Sequence, residues 1–182
     1  RTIVVLEKED LETINSIKDY NCEILYQLNK GYGDALTLGI NNTKTKYFCI
    51  FNADGSFIPD ELTEMYNLLE NNSGDFIFGS RYMKTASSDD DTFVTFIGNK
   101  IFTLIGNLFF SLKISDILYT YVMGNTKLAQ SLNLKEKKFS LCVELPIKAK
   151  RSGFRLISFP CHERERIAGK KKVNAFKAVS YT

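Results

Sequence analysis

Apolar and polar positions alternate in two rhythms along the first eighty residues. Residues 2–6 (TIVVL) form a short β-branched run, and residues 10–20 place Leu11, Ile14 and Ile17 on one face at helical spacing. A second run at 23–28 predicts a strand, and 33–40 predicts a helix behind a glycine-bearing turn. Residues 47–51 (YFCIF) are apolar throughout, short enough for a strand buried on both faces. Pro59 marks a helix start, with Leu62, Met65, Tyr66 and Leu69 on one face, and residues 75–78 predict a fourth strand. Strands alternating with helices at this spacing predict an α/β fold: a doubly wound, mostly parallel sheet flanked by helices.

The pattern then changes. Residues 85–92 (TASSDDDT) are polar and read as a surface loop, whereas 93–112 form a strongly apolar helical stretch. Gly98, Asn99, Lys100, Gly106 and Asn107 interrupt that stretch, so the reading is a core helix rather than a membrane span or a helix in a bilayer interface. Residues 139–150 predict a further helix and 155–160 (RLISFP) a last strand, before a basic, glycine-containing segment over 164–177. No internal repeat or low-complexity linker divides the 182 residues, which are read as one domain.

Composition narrows the class. Four widely spaced cysteines and one histidine, His162, fit neither a zinc cluster nor a disulfide framework. The opening residues lack the form of a secretory signal, so a cytoplasmic location is expected, at most touching the inner face of a membrane. Charge is unevenly spread: residues 1–134 carry 11 Lys and Arg against 17 Asp and Glu, and residues 135–182 carry 13 against 4. The basic end can meet an anionic ligand or simply form a solvated face. Neither an RNP-like aromatic pattern nor a helix-turn-helix signal is present, so nucleic acid is not expected as a partner.

In a doubly wound sheet, ligands bind beyond the carboxyl ends of the strands. After YFCIF comes Asn52-Ala53-Asp54-Gly55-Ser56, where Asp54 can hold Mg²⁺ or Mn²⁺ or can bond its own turn. Asn29-Lys30-Gly31-Tyr32-Gly33 opens a helix and offers backbone N–H groups to an anion. It does not match the dinucleotide fingerprint, because Leu36 stands at the third glycine position. Arg81, directly after a strand, calls for an anionic partner or solvent.

Six blocks in order, NKGYGDAL, FNADGS, FIFGSRY, SDILYTYVMG, CVELPIKAKRSGFRLISFP and RERIAGKKKVN, resemble the family 2 glycosyltransferases. The likeness runs over residues 2–177 and points to the dolichol-phosphate-mannose-synthase-like branch and to bacterial envelope-polysaccharide enzymes. It implies a GT-A fold, a nucleotide-sugar donor of the UDP or GDP type, a divalent cation (Mg²⁺ or Mn²⁺), inversion at the anomeric carbon, and a polyprenyl-phosphate or saccharide acceptor. Carried over by position, it implies that Asp54 binds metal and that Lys30, Gly31, Gly33, Asn52, Arg166, Lys170 and Lys172 lie around the donor. Gly79, Ser80 and Arg81 fall on the acceptor side. Asp116 and Tyr121 match a D-x-x-x-G-[FY]-R block, and Glu144 the family's helix glutamate. Asp89, Asp90, Asp91 and Asp116 are the candidate bases, with Arg81, Asp91 and Asp116 assigned to catalysis.

The departures are specific. Asn52 stands for the usual first Asp of a D-x-D-like motif, Thr120 for Gly, Val122 for Arg and Lys171 for Ser. The family's opening strand is not matched, Leu6-Glu7-Lys8-Glu9 replaces D-D-G-S, and the expectation is a GT-A sheet without its first strand in a fragment of a longer protein. The segment from Arg166 to Lys172 is expected to form a lid that like-charge repulsion holds open until a diphosphate binds. The alternative is a non-catalytic module that binds an anionic ligand or a protein partner.

Overall fold

The computed structural model describes residues 1–167. In chain order the elements are β1 (Ile3–Leu6), α1 (Leu11–Ile17), β2 (Glu23–Tyr26), α2 (Tyr32–Asn42), β3 (Tyr47–Ile50), α3 (Glu61–Glu70) and β4 (Phe76–Ser80). There follow β5 (Ser87–Ser88), α4 (Phe93–Phe110), β6 (Val122–Asn125), α5 (Thr126–Ser131), α6 (Leu141–Arg151), β7 (Leu156–Pro160) and β8 (His162–Glu163).

The strands form three ladders. β1 and β2 pair in parallel; β3, β6, β4 and β7 make a four-stranded sheet in that order; β5 pairs in parallel with β8. β4 and β7 are parallel, while β6 runs antiparallel to both of its neighbours, β3 and β4. The strands β1, β2 and β3 point the same way, because the residues that follow them meet. Lys30, after β2, pairs with Glu7, after β1, and Tyr32 bonds Asn52, after β3. Between β1 and β3 the sheet is interrupted, each facing an edge without a partner strand. The α/β units and parallel pairings agree with the GT-A fold expected above.

Side-chain alternation sets up a core on each face of the four-stranded sheet. Phe48, Ile50, Phe76, Phe78 and Val122 face Ile40, Ala129, Leu145 and Ala149 of α2, α5 and α6. Ile77 and Met123 face Met65 and Leu69 of α3, together with Phe57, Tyr119 and Tyr121. β4 is buried along its whole length, which accounts for its uninterrupted FIFGS sequence.

Several expectations are corrected. β3 lies at a sheet edge with alternating burial: Phe48 and Ile50 are buried on one face, and Tyr47 and Cys49 are only partly covered on the other. The face of α1 carrying Leu11 finds no core, since the β1–β2 pair is not joined to the main sheet; no residue of α1 is buried. The loop expected at 85–92 contains β5. β6 and α5 were not expected. The largest correction concerns α4: only 17% of its residues are buried, namely Asn99, Thr103 and Gly106. A core helix would show the reverse. Its polar stripe docks inward because Thr103 Oγ1 accepts from Ile117 N (3.2 Å) and Asn107 bonds both the N–H and the carbonyl of Ile114 (3.2 and 2.8 Å).

Candidate active site at the carboxyl ends of the strands

The turn after β3 uses the two oxygens of Asp54 differently. Oδ1 accepts from Ser56 N at 3.1 Å and Ser56 Oγ at 2.7 Å, closing an Asx turn, and Gly55 takes φ +85°. Oδ2 faces Arg166, whose Nη1 lies 3.7 Å away. The turn reading is thus realised through Oδ1, while Oδ2 is left outside the turn, toward Arg166. Arg166 Nη2 donates to Asp90 Oδ2 at 2.9 Å, and this bond with Asp90 raises the pKa of Arg166. Asn52 Oδ1 is held 3.1 Å from the Tyr32 hydroxyl, which also lies 2.9 Å from Thr120 Oγ1.

The segment after β8 lies against this turn. Arg164 N donates to Ser56 O at 2.9 Å, Arg164 Nη2 to Phe57 O at 2.9 Å, and Ile167 N to Asp54 O at 2.8 Å. A Cβ built on Gly55 would stand 2.7 Å from Ile167 Cδ1, so glycine permits both the turn and the close cover. Residues 164–167 thus lie over the turn after β3, at the near end of the segment expected to act as a lid. Gly169, Lys170, Lys171 and Lys172 lie outside the described residues.

Beside the turn sits a buried ion cluster. Arg81 Nε donates to Asp116 Oδ2 at 2.7 Å and Nη2 to Asp116 Oδ1 at 3.1 Å, a bidentate pair, while Nη1 reaches Glu163 Oε2 at 3.3 Å. Arg81 is 9% exposed, Asp116 1% and Glu163 7%. The guanidinium lies over the rings of Tyr119 and Tyr82. Burial works against its charge, but Asp116 and then Glu163 outweigh burial and raise the Arg81 pKa. Ser88 Oγ donates to Glu163 at 2.6 Å, tying β5 to the cluster. Asp91 accepts from the Tyr82 hydroxyl and from Thr95 Oγ1, anchoring the start of α4.

Elsewhere the residues do structural work. Lys30 pairs with Glu7 at 2.9 Å along an open cleft of about 280 Å³ between the ends of β1 and β2. Cβ atoms on Gly31 and Gly33 would approach Lys137 O to 2.1 Å and Glu136 O to 2.3 Å. The Asp34 N–H donates to Lys137 O at 3.1 Å, so the backbone of 136–138 occupies the side of this loop expected to face an anion. That backbone is pinned by Glu144, which accepts from the N–H groups of Lys135 (2.9 Å) and Glu136 (2.9 Å). His162 lies 2.6 Å from Ser87 Oγ and 3.0 Å from Asp89, clasping β8 to the loop.

Asp54 and Arg166 are thus brought together, as are Arg81 and Asp116; Lys30 stands apart on its cleft. Glu163 is a partner that motif reading did not single out, and Asp90, expected as a candidate base, is instead paired with Arg166. Among the described residues no three of His, Cys, Asp and Glu group closely enough to hold a metal alone. A divalent cation would be held by the outward oxygen of Asp54 with ligand oxygens and water. The hard carboxylate donor suits such an ion, whereas the Arg166 guanidinium facing the same oxygen competes with it.

The family model for glycosyl transferase family 2 matches residues 7–132. The chain belongs to this family. A search of curated proteins found no match. Among solved structures, this family 2 chain is similar to glucosyl-3-phosphoglycerate synthase from Mycobacterium tuberculosis. The complex of that protein with Mn²⁺, uridine-diphosphate and glucosyl-3-phosphoglycerate gives a TM-score of 0.68 at 12% identity, covering 98% of this chain and 64% of that one. Its complex with Mn²⁺, uridine-diphosphate and phosphoglyceric acid gives 0.67 at 13% identity, covering 98% and 63%. Its complex with Mg²⁺ and uridine-diphosphate gives 0.66 at 13%, covering 98% and 64%. The likeness at such identity is one of fold, and the chain spans about 64% of the length of the first of these structures.

Proposed function

We infer that this family 2 chain transfers a sugar, with inversion, from a UDP- or GDP-type donor to a polyprenyl-phosphate or saccharide acceptor at the cytoplasmic face of a membrane. The observation that carries the reading is the Asp54–Arg166 juxtaposition on the turn after β3. A carboxylate and a guanidinium closing on one strand end suit a nucleoside diphosphate, the carboxylate through a cation and the guanidinium directly. The structurally similar synthase in complex with Mn²⁺ or Mg²⁺ and uridine-diphosphate supports the same assignment. Mg²⁺ or Mn²⁺, when bound, would neutralise charge on the departing diphosphate. Arg166, with Lys170 and Lys172, would orient the phosphate oxygens, and Asn52 would set the approach to the turn through Tyr32.

The acceptor end favours a phosphate. A sugar hydroxyl needs a base, yet Asp116 is bound to Arg81, Asp91 to Tyr82 and Thr95, Asp90 to Arg166 and Asp89 to His162. A phosphate monoester is already an anion and needs no proton removed. Arg81, Asp116 and Asp91 then shape the acceptor floor. Calorimetric titration with UDP and GDP, with and without Mn²⁺, tests the donor assignment. Metal-dependent binding lost in Asp54→Asn is expected; binding without metal, or unchanged in that variant, would leave only an anion-binding module.

A further inference from the structure

We propose that α4 is a membrane-lying helix whose outward face enters the surface of an anionic phospholipid bilayer. The helix is inverted relative to a soluble amphipathic helix. Asn99, Thr103 and Asn107, at i, i+4 spacing, hold it to the body through Tyr82, Ile117 and Ile114. Phe93, Val94, Phe96, Ile97, Ile101, Leu104, Ile105, Leu108 and Phe109 face outward, each 39–76% exposed. Mean hydropathy over the 18 residues is 1.5, and the helix runs about 27 Å at 1.5 Å per residue. An apolar patch of this extent marks an interaction surface.

Its breadth and its surroundings choose the occupant. Ile97, Ile101, Leu104 and Leu108 run down its centre at coiled-coil spacing, but Phe93 and Ile105 flank them where a two-helix seam carries charged pairs, and Phe109 widens the arc beyond. The apolar arc is too broad for one partner helix and suits an apolar medium. The polar side is bonded to the protein, so the helix lies in the interface and does not span.

Charge points the same way. Lys100 on one flank lies over the Tyr82 and Phe96 rings, Arg151 over the Phe110 ring at the carboxyl end, and Lys113 follows, exposed, just beyond. The aspartates at the other end are each engaged, Asp89 by His162, Asp90 by Arg166 and Asp91 by Tyr82. Cations near the apolar face, with each of these carboxylates held by a protein partner, complement anionic headgroups. Tyr82, bonded to Asn99 and beside Arg81, links the helix to the acceptor floor. A lipid-borne phosphate entering along α4 would reach the residues assigned above to the acceptor, and in this respect the inference extends that reading.

The chain contains no tryptophan, so one introduced residue reports its own environment. Leu108→Trp, or Phe109→Trp should the first fail to fold, places it on the outward face; Tyr66→Trp places it on α3, against the opposite face of the sheet. With vesicles of equal parts phosphatidylcholine and phosphatidylglycerol, the α4 reporter shifts to the blue and the α3 reporter does not. Leu104→Glu in the reporter background lowers vesicle affinity about tenfold or more, and Lys113→Gln with Arg151→Gln lowers it several-fold. No shift on α4, or equal shifts at both sites, overturns the proposal. A blue shift without lipid that grows with protein concentration also overturns it and assigns the face to a second copy. The assay uses neither donor nor acceptor, so a chain that transfers sugar without binding vesicles refutes this surface alone, and a chain that binds vesicles without transferring sugar refutes only the proposed activity.

Discussion

Nη1 of Arg166 lies 3.7 Å from Oδ2 of Asp54, and the same guanidinium donates to Asp90 at 2.9 Å. A cation of the protein itself therefore stands against the carboxylate expected to meet a divalent ion. The two cations compete for one oxygen, while the other oxygen is committed to Ser56.

Asp54→Asn separates these roles. The amide oxygen still accepts from Ser56, so the turn and the fold persist, but the anionic oxygen is lost. Metal-dependent nucleotide binding should vanish while the thermal midpoint stays close to wild type. Asp54→Ala should lose the binding and also about 0.5–1.5 kcal/mol of stability with the turn's hydrogen bonds. Equal destabilisation by both variants would show that the charge, rather than the turn, supports the fold.

Arg166→Ala should act in opposite directions on two ligands. Mn²⁺ alone should bind more tightly, because the competing guanidinium is gone. The nucleoside diphosphate should bind about 10- to 100-fold more weakly, for loss of a charge-assisted contact of about 1.5–3 kcal/mol. Calorimetry with each ligand checks the pair of signs, and weakening of both would refute the competition.

The buried pair sets a third expectation. Asp116→Ala leaves the Arg81 guanidinium buried with only Glu163 at 3.3 Å, which should cost about 3–5 kcal/mol in urea unfolding. Glu163→Gln should cost less, since Asp116 still holds Arg81 bidentately. A reversed order would make Glu163 the principal counterion.

The sequence carried the strands of the main sheet unevenly. β4 and β7 were readable as apolar runs because both lie inside or along a buried sheet. β6, with Gly124 among its four residues, was not: its strand character comes from being enclosed by β3 and β4, and a Cβ on Gly124 would stand 2.4 Å from the Phe76 ring. Asp54 and Arg81 were legible from their places directly after strands. The pairings of Arg81 with Glu163 and of Arg166 with Asp90 were not, because their members lie 82 and 76 residues apart and no local pattern encodes such distances. α4 was misjudged for another reason: counting apolar residues pointed to a core, whereas the Asn99, Thr103, Asn107 stripe, equally present in the sequence, identifies the docked side.

Glu144 supplies a prediction in which pH is the variable. Burial opposes its charge, but the Lys148 ammonium and the N–H groups of Glu136 and Lys135 outweigh burial and hold its pKa below the ordinary glutamate value. A carboxylate with a depressed folded pKa contributes stability that is complete above the unfolded value of about 4.3 and is lost as pH falls through the lower folded value. Glu144→Gln removes this contribution and turns one amide N–H toward two backbone donors. The variant should therefore be less stable than wild type by about 1–3 kcal/mol near neutrality. The gap should close on acidification below the usual glutamate range, because the wild type then loses the same interactions. Since the loop pinned by Glu144 supports Gly31, Gly33 and the Asp34 N–H, the amide of Asp34 should also exchange faster in the variant at neutral pH. Urea midpoints across pH, with hydrogen exchange at one neutral point, decide the matter; a stability gap that is constant with pH would mean that Glu144 acts by packing and not by charge.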